Sequence, residues 1–297
     1  MKLTFWGTRG SIPSPGTHTV RYGGNTPCVE VRLDDNSLFI FDAGSGIRKL
    51  GEHLVKHDSP VRASILITHE HWDHIQGLPF FVPAFIPGNE FKIVGSGPTR
   101  FSLKKALANQ MRRLYFPVQL KELEARFTFH PVKEEKFEIF GLEIETIYVN
   151  HPTFALGYRL THKGKSIVYI SDNEPIDKTT VSQMGTNRTI LKNYLKNKVD
   201  PNQRLYDFCR NADVFIHDSF FTPDEYVQHI GWGHSHYLFT LQIAREANVK
   251  HCVLFHHHPN RTDEQIDEML NICLREIQRM NLKFSCSAAS EGQVITL

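Results

Sequence analysis

The 297-residue sequence lacks most of the features that mark specialised protein classes. Cysteine is scarce: Cys28, Cys209, Cys252, Cys273 and Cys286 are the only five, and no two form a C-x-x-C pair. An odd, scattered set argues against a disulfide framework and against a thiolate metal site. Net charge is nearly absent, since 34 Lys and Arg against 32 Asp and Glu leave +2 with histidine neutral. No global basic field therefore calls for nucleic acid or an anionic membrane. No apolar run approaches the ~18 residues of a membrane span. The start "MKLTFWGTRGSIP" has no signal-peptide core, so a soluble, cytoplasmic protein without a membrane partner is expected. Internal repeats, low-complexity stretches and composition breaks are also missing. One domain over 1–297 is the simplest expectation, with 40% hydrophobic residues to build its core.

What is there is a rhythm of short β-like runs: "KLTFWG", "CVEVRL", "SLFIFDAG", "ASILITH", "FKIVGS", "FEIFGLEIETIYV", "FALGYRLTH", "SIVYISD", "DVFIHD", "HCVLFHH" and "GQVITL". Helical patterns lie between them. Residues 235–247 carry apolar positions at helical spacing. Residues 262–280 open with Thr262 as N-cap and set Ile266, Met269, Leu270, Cys273 and Ile277 on one face. The alternation predicts an α/β fold. The weakly patterned stretch 173–212, with seven Lys/Arg against four Asp/Glu, is expected to be a solvated helical insert.

Histidine is abundant, at 17 residues, and its clustering carries the chemistry. In "ILITHEHWDH" a run suited to a buried strand ends in His69, His71, Asp73 and His74, at the strand end where α/β sheets bind ligands. Two imidazoles at i and i+2 can converge on one metal ion, and the adjacent Asp/His pair can reach a second. Glu70 and Trp72 are the spacers and should point away. Three other strand ends offer metal-ligand types: His151 in "YVNHPTF", Asp172 in "VYISD", and His256 with His257 and His258 in "CVLFHHHP". Imidazole and carboxylate suit zinc, manganese or iron.

At these residues the chain resembles the metallo-β-lactamase superfamily, in the branch of RNase Z-type nucleases and cyclic-phosphate phosphodiesterases. The resemblance runs nearly end to end, through "FWGTRGSIP", "FIFDAGSG", "THEHWDH", "VNHPTFALGYRL", "VYISD", "FIHDSFF" and "WGHSHYLFTLQIAREANVKHCVLFHHHP". It implies a four-layer αββα sandwich of two mixed β-sheets flanked by helices. It also implies two divalent ions, zinc first among them. One would be held by His69, His71 and His151; the other by Asp73, His74 and His256, with Asp172 bridging. Asp42 would orient a ligand ring or the "THEH" loop. His234 would face the leaving group, supported by Asp218, which stands where the branch carries a Glu; with Asp73 they form the catalytic set. His236, where the branch usually has Thr, and His217 would be structural.

The implied reaction is phosphodiester hydrolysis by a hydroxide bridging the ions, with His234 assisting the alkoxide. Nucleases of this branch grip tRNA with an arm inserted between the equivalents of His151 and Asp172, and here only twenty residues separate the two. With the low net charge, this favours a small substrate, a cyclic nucleotide or cyclic ribose phosphate, over RNA. Arg112, Arg113, Tyr115 and Phe116 could reach over the mouth of the site, though an amphipathic helix end packed on the body explains them as well. An RNase Z-like endoribonuclease and a non-catalytic metal-binding regulatory subunit are the alternatives, and a homodimer is the assembly common in the branch.

Overall fold

The computed structural model describes residues 1–58, 60–97, 100–176 and 200–297. The expected insert at 173–212 therefore lies, between 177 and 199, outside the described residues. The chain forms β1 (Lys2–Gly7), β2 (Cys28–Arg32), β3 (Leu38–Phe41), α1 (Gly46–His57), β4 (Arg62–Ile67), α2 (Trp72–Ile75), β5 (Glu90–Ser96), α3 (Arg100–Gln110) and β6 (Arg126–Val132). It continues with β7 (Lys136–Ile139), β8 (Leu142–Tyr148), β9 (Leu156–His162), β10 (Lys165–Ile170), α4 (Gln203–Cys209), β11 (Val214–Asp218) and α5 (Pro223–Val227). Then follow α6 (Tyr237–Glu246), β12 (His251–Phe255), α7 (Asp263–Arg279), β13 (Ser285–Ala288) and β14 (Val294–Thr296).

Two compact units share the chain. The first comprises Met1–Glu135, His258–Asp263 and Ala289–Leu297; the second comprises Lys136–His257 and Glu264–Ala288. Each carries one mixed seven-stranded sheet. The first sheet runs β14-β1-β2-β3-β4-β5-β6, antiparallel as far as β3 and parallel beyond it. The second runs β7-β8-β9-β10-β11-β12-β13, antiparallel as far as β10 and parallel beyond it.

Parallel strands are covered on both faces, so they read as continuous apolar runs. β4 is buried from Ala63 onward, β10 from Ser166 onward, and β11 throughout. On the first sheet, Ile47, Leu50 and Leu54 of α1 join Ile65, Ile67, Phe81 and Phe91 in one buried cluster. Each such side chain contributes roughly 1.5–3 kcal/mol. Polar side chains then concentrate where the parallel strands end: Asp42 after β3, the 68–74 stretch after β4, Asp172 after β10, Asp218 closing β11, and His256 after β12.

The run expected as one strand over 137–149 is a hairpin. Phe140 and Gly141 both take positive φ, 51° and 72°, the backbone of a two-residue turn between β7 and β8. The strands β6 and β13 and the helix α1 have no counterpart in the sequence reading. Helix α6 starts two residues later than the expected 235, with His236 as its N-cap accepting from the Phe239 amide. No helix among the described residues is long and apolar enough to cross a membrane.

Candidate metal centre

In the first unit the expected ligands are arranged by Asp42. It follows β3 directly with φ 56°, a left-handed conformation that a non-glycine residue holds at a cost. That turn swings its carboxylate toward the end of the neighbouring strand β4. There it accepts from the Thr68 amide at 2.8 Å, the Thr68 hydroxyl at 3.0 Å and the His74 Nδ1–H at 2.9 Å. The Thr68 hydroxyl oxygen also lies 3.1 Å from His69 Nδ1, where it can accept. With Nδ1 engaged on both rings, Nε2 carries the ligand lone pair. The rings of His69 and His71 lie 4.5 Å apart, and those of His69 and His74 4.2 Å apart. Asp73 accepts from the Ser11 amide at 2.8 Å, so the "TRGS" turn near the chain start steadies this carboxylate. Gly44 allows the close approach of α2: a Cβ there would stand 2.3 Å from the Asp73 carbonyl oxygen. Trp72 is exposed and Glu70 half-buried, burial raising the carboxyl of Glu70 above its usual range.

Whether these residues suit a cation follows from the atoms that face each other. His74 Nε2 stands 3.1 Å from Asp73 Oδ2 in a buried place. Once Nδ1 donates to Asp42, both facing atoms are acceptors. A divalent cation between them turns that repulsion into two ligand bonds. In the second unit His256 Nε2 lies 3.4 Å from Asp172 Oδ1, so an imidazole nitrogen again faces a buried carboxylate. The donor set fits metal ions.

In the second unit Asp172, His234 and His256 offer ligand atoms that lie within 4.8 Å of one another. His256 follows β12 with φ 58°, the same left-handed turn that Asp42 makes after β3. The His234 ring has two aromatic neighbours: Phe220 stacks on it at 4.3 Å, and the His256 ring lies 5.2 Å away. Its Nδ1–H donates to Asp218 Oδ2 at 3.0 Å, with Asp172 Oδ2 farther off at 3.7 Å. Asp218 is fully buried, and burial raises its carboxyl, with Asp172 adding to the rise and His234 opposing it. It also accepts from the amides of Phe220, Ser235 and Asn173, at 2.9, 3.2 and 3.3 Å. His151 donates through Nδ1 to the Gly233 carbonyl at 3.0 Å, which again leaves Nε2 to bind. Gly233 has φ 86°, and a Cβ there would meet His151 Nδ1 at 2.3 Å.

Every expected site residue thus stands in one of these two clusters, and several supports had no sequence signal. Glu174 is fully buried and accepts from the amides of Gly231 and Gly233, at 2.6 and 3.0 Å, and from the Tyr226 hydroxyl at 3.3 Å. Burial raises its carboxyl while these donors lower it. It holds the loop that presents His234. Asn150 joins the His151 and Asp172 segments by donating to the Glu174 carbonyl and accepting from its amide. His217 is fully buried, and burial pushes its pKa down to about 3. Its neutral ring accepts from the Asn173 side chain at 3.2 Å and donates from Nδ1 to the Asp218 carbonyl at 2.8 Å. His257 is buried and His258 half-buried. In the 112–116 segment Arg113 pairs with Glu122 at 2.8 Å and Phe116 packs on Phe80, whereas Tyr115 is exposed.

Fold and donor chemistry define the class, a metal-dependent hydrolase. Residues 38–195 match the family profile described as beta-lactamase superfamily domain, and the chain belongs to that superfamily. Among curated relatives, ribonuclease Z of Thermoplasma acidophilum is 27% identical over 296 residues, covering 90% of this chain and 89% of that protein. Ribonuclease BN of Proteus mirabilis is 25% identical, covering 92% and 94%. Two solved structures share the fold. The human short-form tRNase Z has a TM-score of 0.66 at 19% identity, covering 100% of this chain and 99% of that one. A diphosphatase from the PhnP family has a TM-score of 0.66 at 20% identity, covering 100% and 97%.

Proposed function

We propose that this chain is a two-metal phosphodiesterase acting in the cytoplasm on a small phosphodiester, a cyclic nucleotide or cyclic ribose phosphate. The observation that carries the reading is the buried Asp218–His234 pair beside Asp172, with His234 Nδ1 held at 3.0 Å. An alkoxide leaves phosphorus poorly unless it is protonated, and a carboxylate-backed imidazole is the group that supplies the proton. Thioester cleavage, which expels a thiolate, needs no such pair. In this reading His69, His71 and His151 would hold one ion and Asp73, His74 and His256 the other, and Asp172 would serve both. Zinc suits this imidazole-rich set best, with manganese or iron accepted by the same donors. Such a pair of ions, when bound, neutralises phosphodiester charge and lowers the pKa of water to about 7.

The chain's own residues do the rest. Asp218 fixes the His234 tautomer and balances the positive charge of the doubly protonated ring. Phe220 and His256 keep the ring flat against the site, so its Nε2–H can point at the departing oxygen. Asp42 and Thr68 keep His69 and His74 from rotating.

The small substrate is supported by the β9–β10 connection, which is the two-residue turn Lys163–Gly164, with φ of 49° and 74°. No RNA-gripping arm fits there. A ribonuclease Z-like reading has its own support, in the near full-length alignment with ribonucleases Z. Metal-loaded protein assayed on bis-p-nitrophenyl phosphate, a 3′,5′-cyclic nucleotide and a tRNA precursor separates the two. Cyclic nucleotide turnover is the expected result. Precursor cleavage without it would establish the ribonuclease, and no turnover of any diester at full metal occupancy would sink the enzyme reading.

A further inference from the structure

Four of the five cysteines belong to the second unit, and three of them meet at one edge of its sheet. β12 and β13 pair in parallel register with Cys252 directly opposite Cys286. Neighbouring strands lie about 4.8 Å apart, inside the Cα span of roughly 4.4–6.8 Å that a disulfide bridges. Cys273 comes down from α7 onto the same place, and the thiols of Cys252 and Cys273 are both within hydrogen-bonding reach of Cys286.

The three thiols are not equivalent. Cys252 and Cys273 are fully buried, whereas Cys286 is half-buried on β13, the last strand of its sheet. An edge strand opens locally more readily than a central one. Two S–H donors pull the Cys286 thiol below the ordinary range against its burial, and His251 adds to the pull. The same contacts, with burial, push Cys252 and Cys273 up. His251 is itself anchored between the Ser285 and Ser287 hydroxyls, at 2.6 and 2.9 Å. Elsewhere, burial raises the thiols of Cys28 and Cys209. A half-buried thiol on an edge strand, with Cys252 directly opposite it, combines the partial exposure and the neighbouring resolving thiol that redox-sensitive cysteines share.

We propose that Cys286 is a modification site, oxidised by hydroperoxides and then closed into a disulfide with Cys252 or Cys273. The Cys286 sulfur attacks the terminal peroxide oxygen, forming an S–O bond as the O–O bond breaks. The departing hydroxide takes the thiol proton as water, or as the alcohol when the peroxide is organic. The neighbouring thiol then attacks the sulfenic sulfur, forming the S–S bond as the S–O bond breaks and a second water leaves with the thiol proton. Two thiols are oxidised and one peroxide is reduced, so no further redox partner is needed.

The test treats the full chain with equimolar hydrogen peroxide in the presence of a chelator, alkylates it with iodoacetamide, and maps cysteine peptides without reduction. The expected product is one cross-linked peptide pair containing Cys286, while Cys28 and Cys209 are recovered as free thiols. Cys286→Ser should abolish the cross-link and leave Cys252 and Cys273 reduced; Cys209→Ser should leave it intact. Oxidation of Cys28 or Cys209 ahead of Cys286, or a Cys286 sulfinate with no cross-link, would overturn the proposal. If Cys286→Ser does not fold, the peptide map of the unsubstituted chain decides by the same criteria.

Discussion

Replacing Asp218 by Asn tests the leaving-group role most directly, because it removes a charge and leaves the shape. The carboxylate accepts four hydrogen bonds: Phe220 on Oδ1, and His234, Ser235 and Asn173 on Oδ2. An amide keeps one acceptor oxygen. With that oxygen turned to the three Oδ2 donors, the new NH₂ faces the Phe220 N–H donor against donor, at a cost of about 1–3 kcal/mol in stability. His234 then stays oriented but loses the charge that balances its protonated ring. General acid catalysis is worth roughly 10²–10⁴-fold, or about 3–5 kcal/mol of barrier. The loss should fall on substrates that leave as alkoxides and spare those whose leaving group needs no proton. We therefore expect zinc-loaded Asp218→Asn to lose at least about a hundredfold in kcat on a 3′,5′-cyclic nucleotide. On bis-p-nitrophenyl phosphate it should lose less than about tenfold. Metal content, read by plasma mass spectrometry, should match the unsubstituted protein. Equal losses on both substrates with metal retained would refute the leaving-group role, and loss of metal would make Asp218 a support of the ligands instead.

His234→Ala should keep its metal and lose most activity on poor leaving groups, whereas Asp172→Ala should lose metal; equal metal loss in both would refute the division of roles. Glu174→Gln gives up one acceptor for the Gly231, Gly233 and Tyr226 donors. It should lower kcat about tenfold, equivalent to 1.4 kcal/mol, at unchanged metal content, and metal loss would show that Glu174 acts on Asp172 rather than on the His234 loop. His217 lies well below its ordinary pKa of 6.5, at about 3, because burial disfavours its charge. The unfolded chain therefore binds a proton that the folded chain does not. Stability should fall as pH drops below about 6.5, by roughly 2 kcal/mol between pH 7 and 5. His217→Gln, which can still accept from Asn173 and donate to the Asp218 carbonyl, should flatten that slope in thermal melts; an unchanged slope would assign the acid sensitivity to other groups.

The site was legible in the sequence wherever local pattern and chemistry coincide. "ILITHEHWDH" announces both a buried strand and its donor-rich end, because β4 lies between parallel neighbours and must be apolar until it stops. The ends of β10, β11 and β12 read the same way. By contrast, β6 alternates half-buried and exposed positions, and β13 is the short "SCSA", so neither carries a strong pattern. The hairpin at Phe140–Gly141 was hidden inside one apolar run. Only a backbone angle separates its two strands.

Composition and spacing by themselves determined the class of fold, the donor types and the strand ends that carry them. These depend on short-range periodicity, which survives in a linear string. For His69, His74 and His151, tertiary structure decided which nitrogen is left available, since Thr68, Asp42 and the Gly233 carbonyl occupy the other one. It decided that Glu174, with no motif to mark it, clamps a loop more than fifty residues away. It also brought Cys252, Cys273 and Cys286 together from a spacing that argues against any joint role. Strand pairing and burial fix such contacts, and their partners are neighbours in a sheet without being neighbours in the chain.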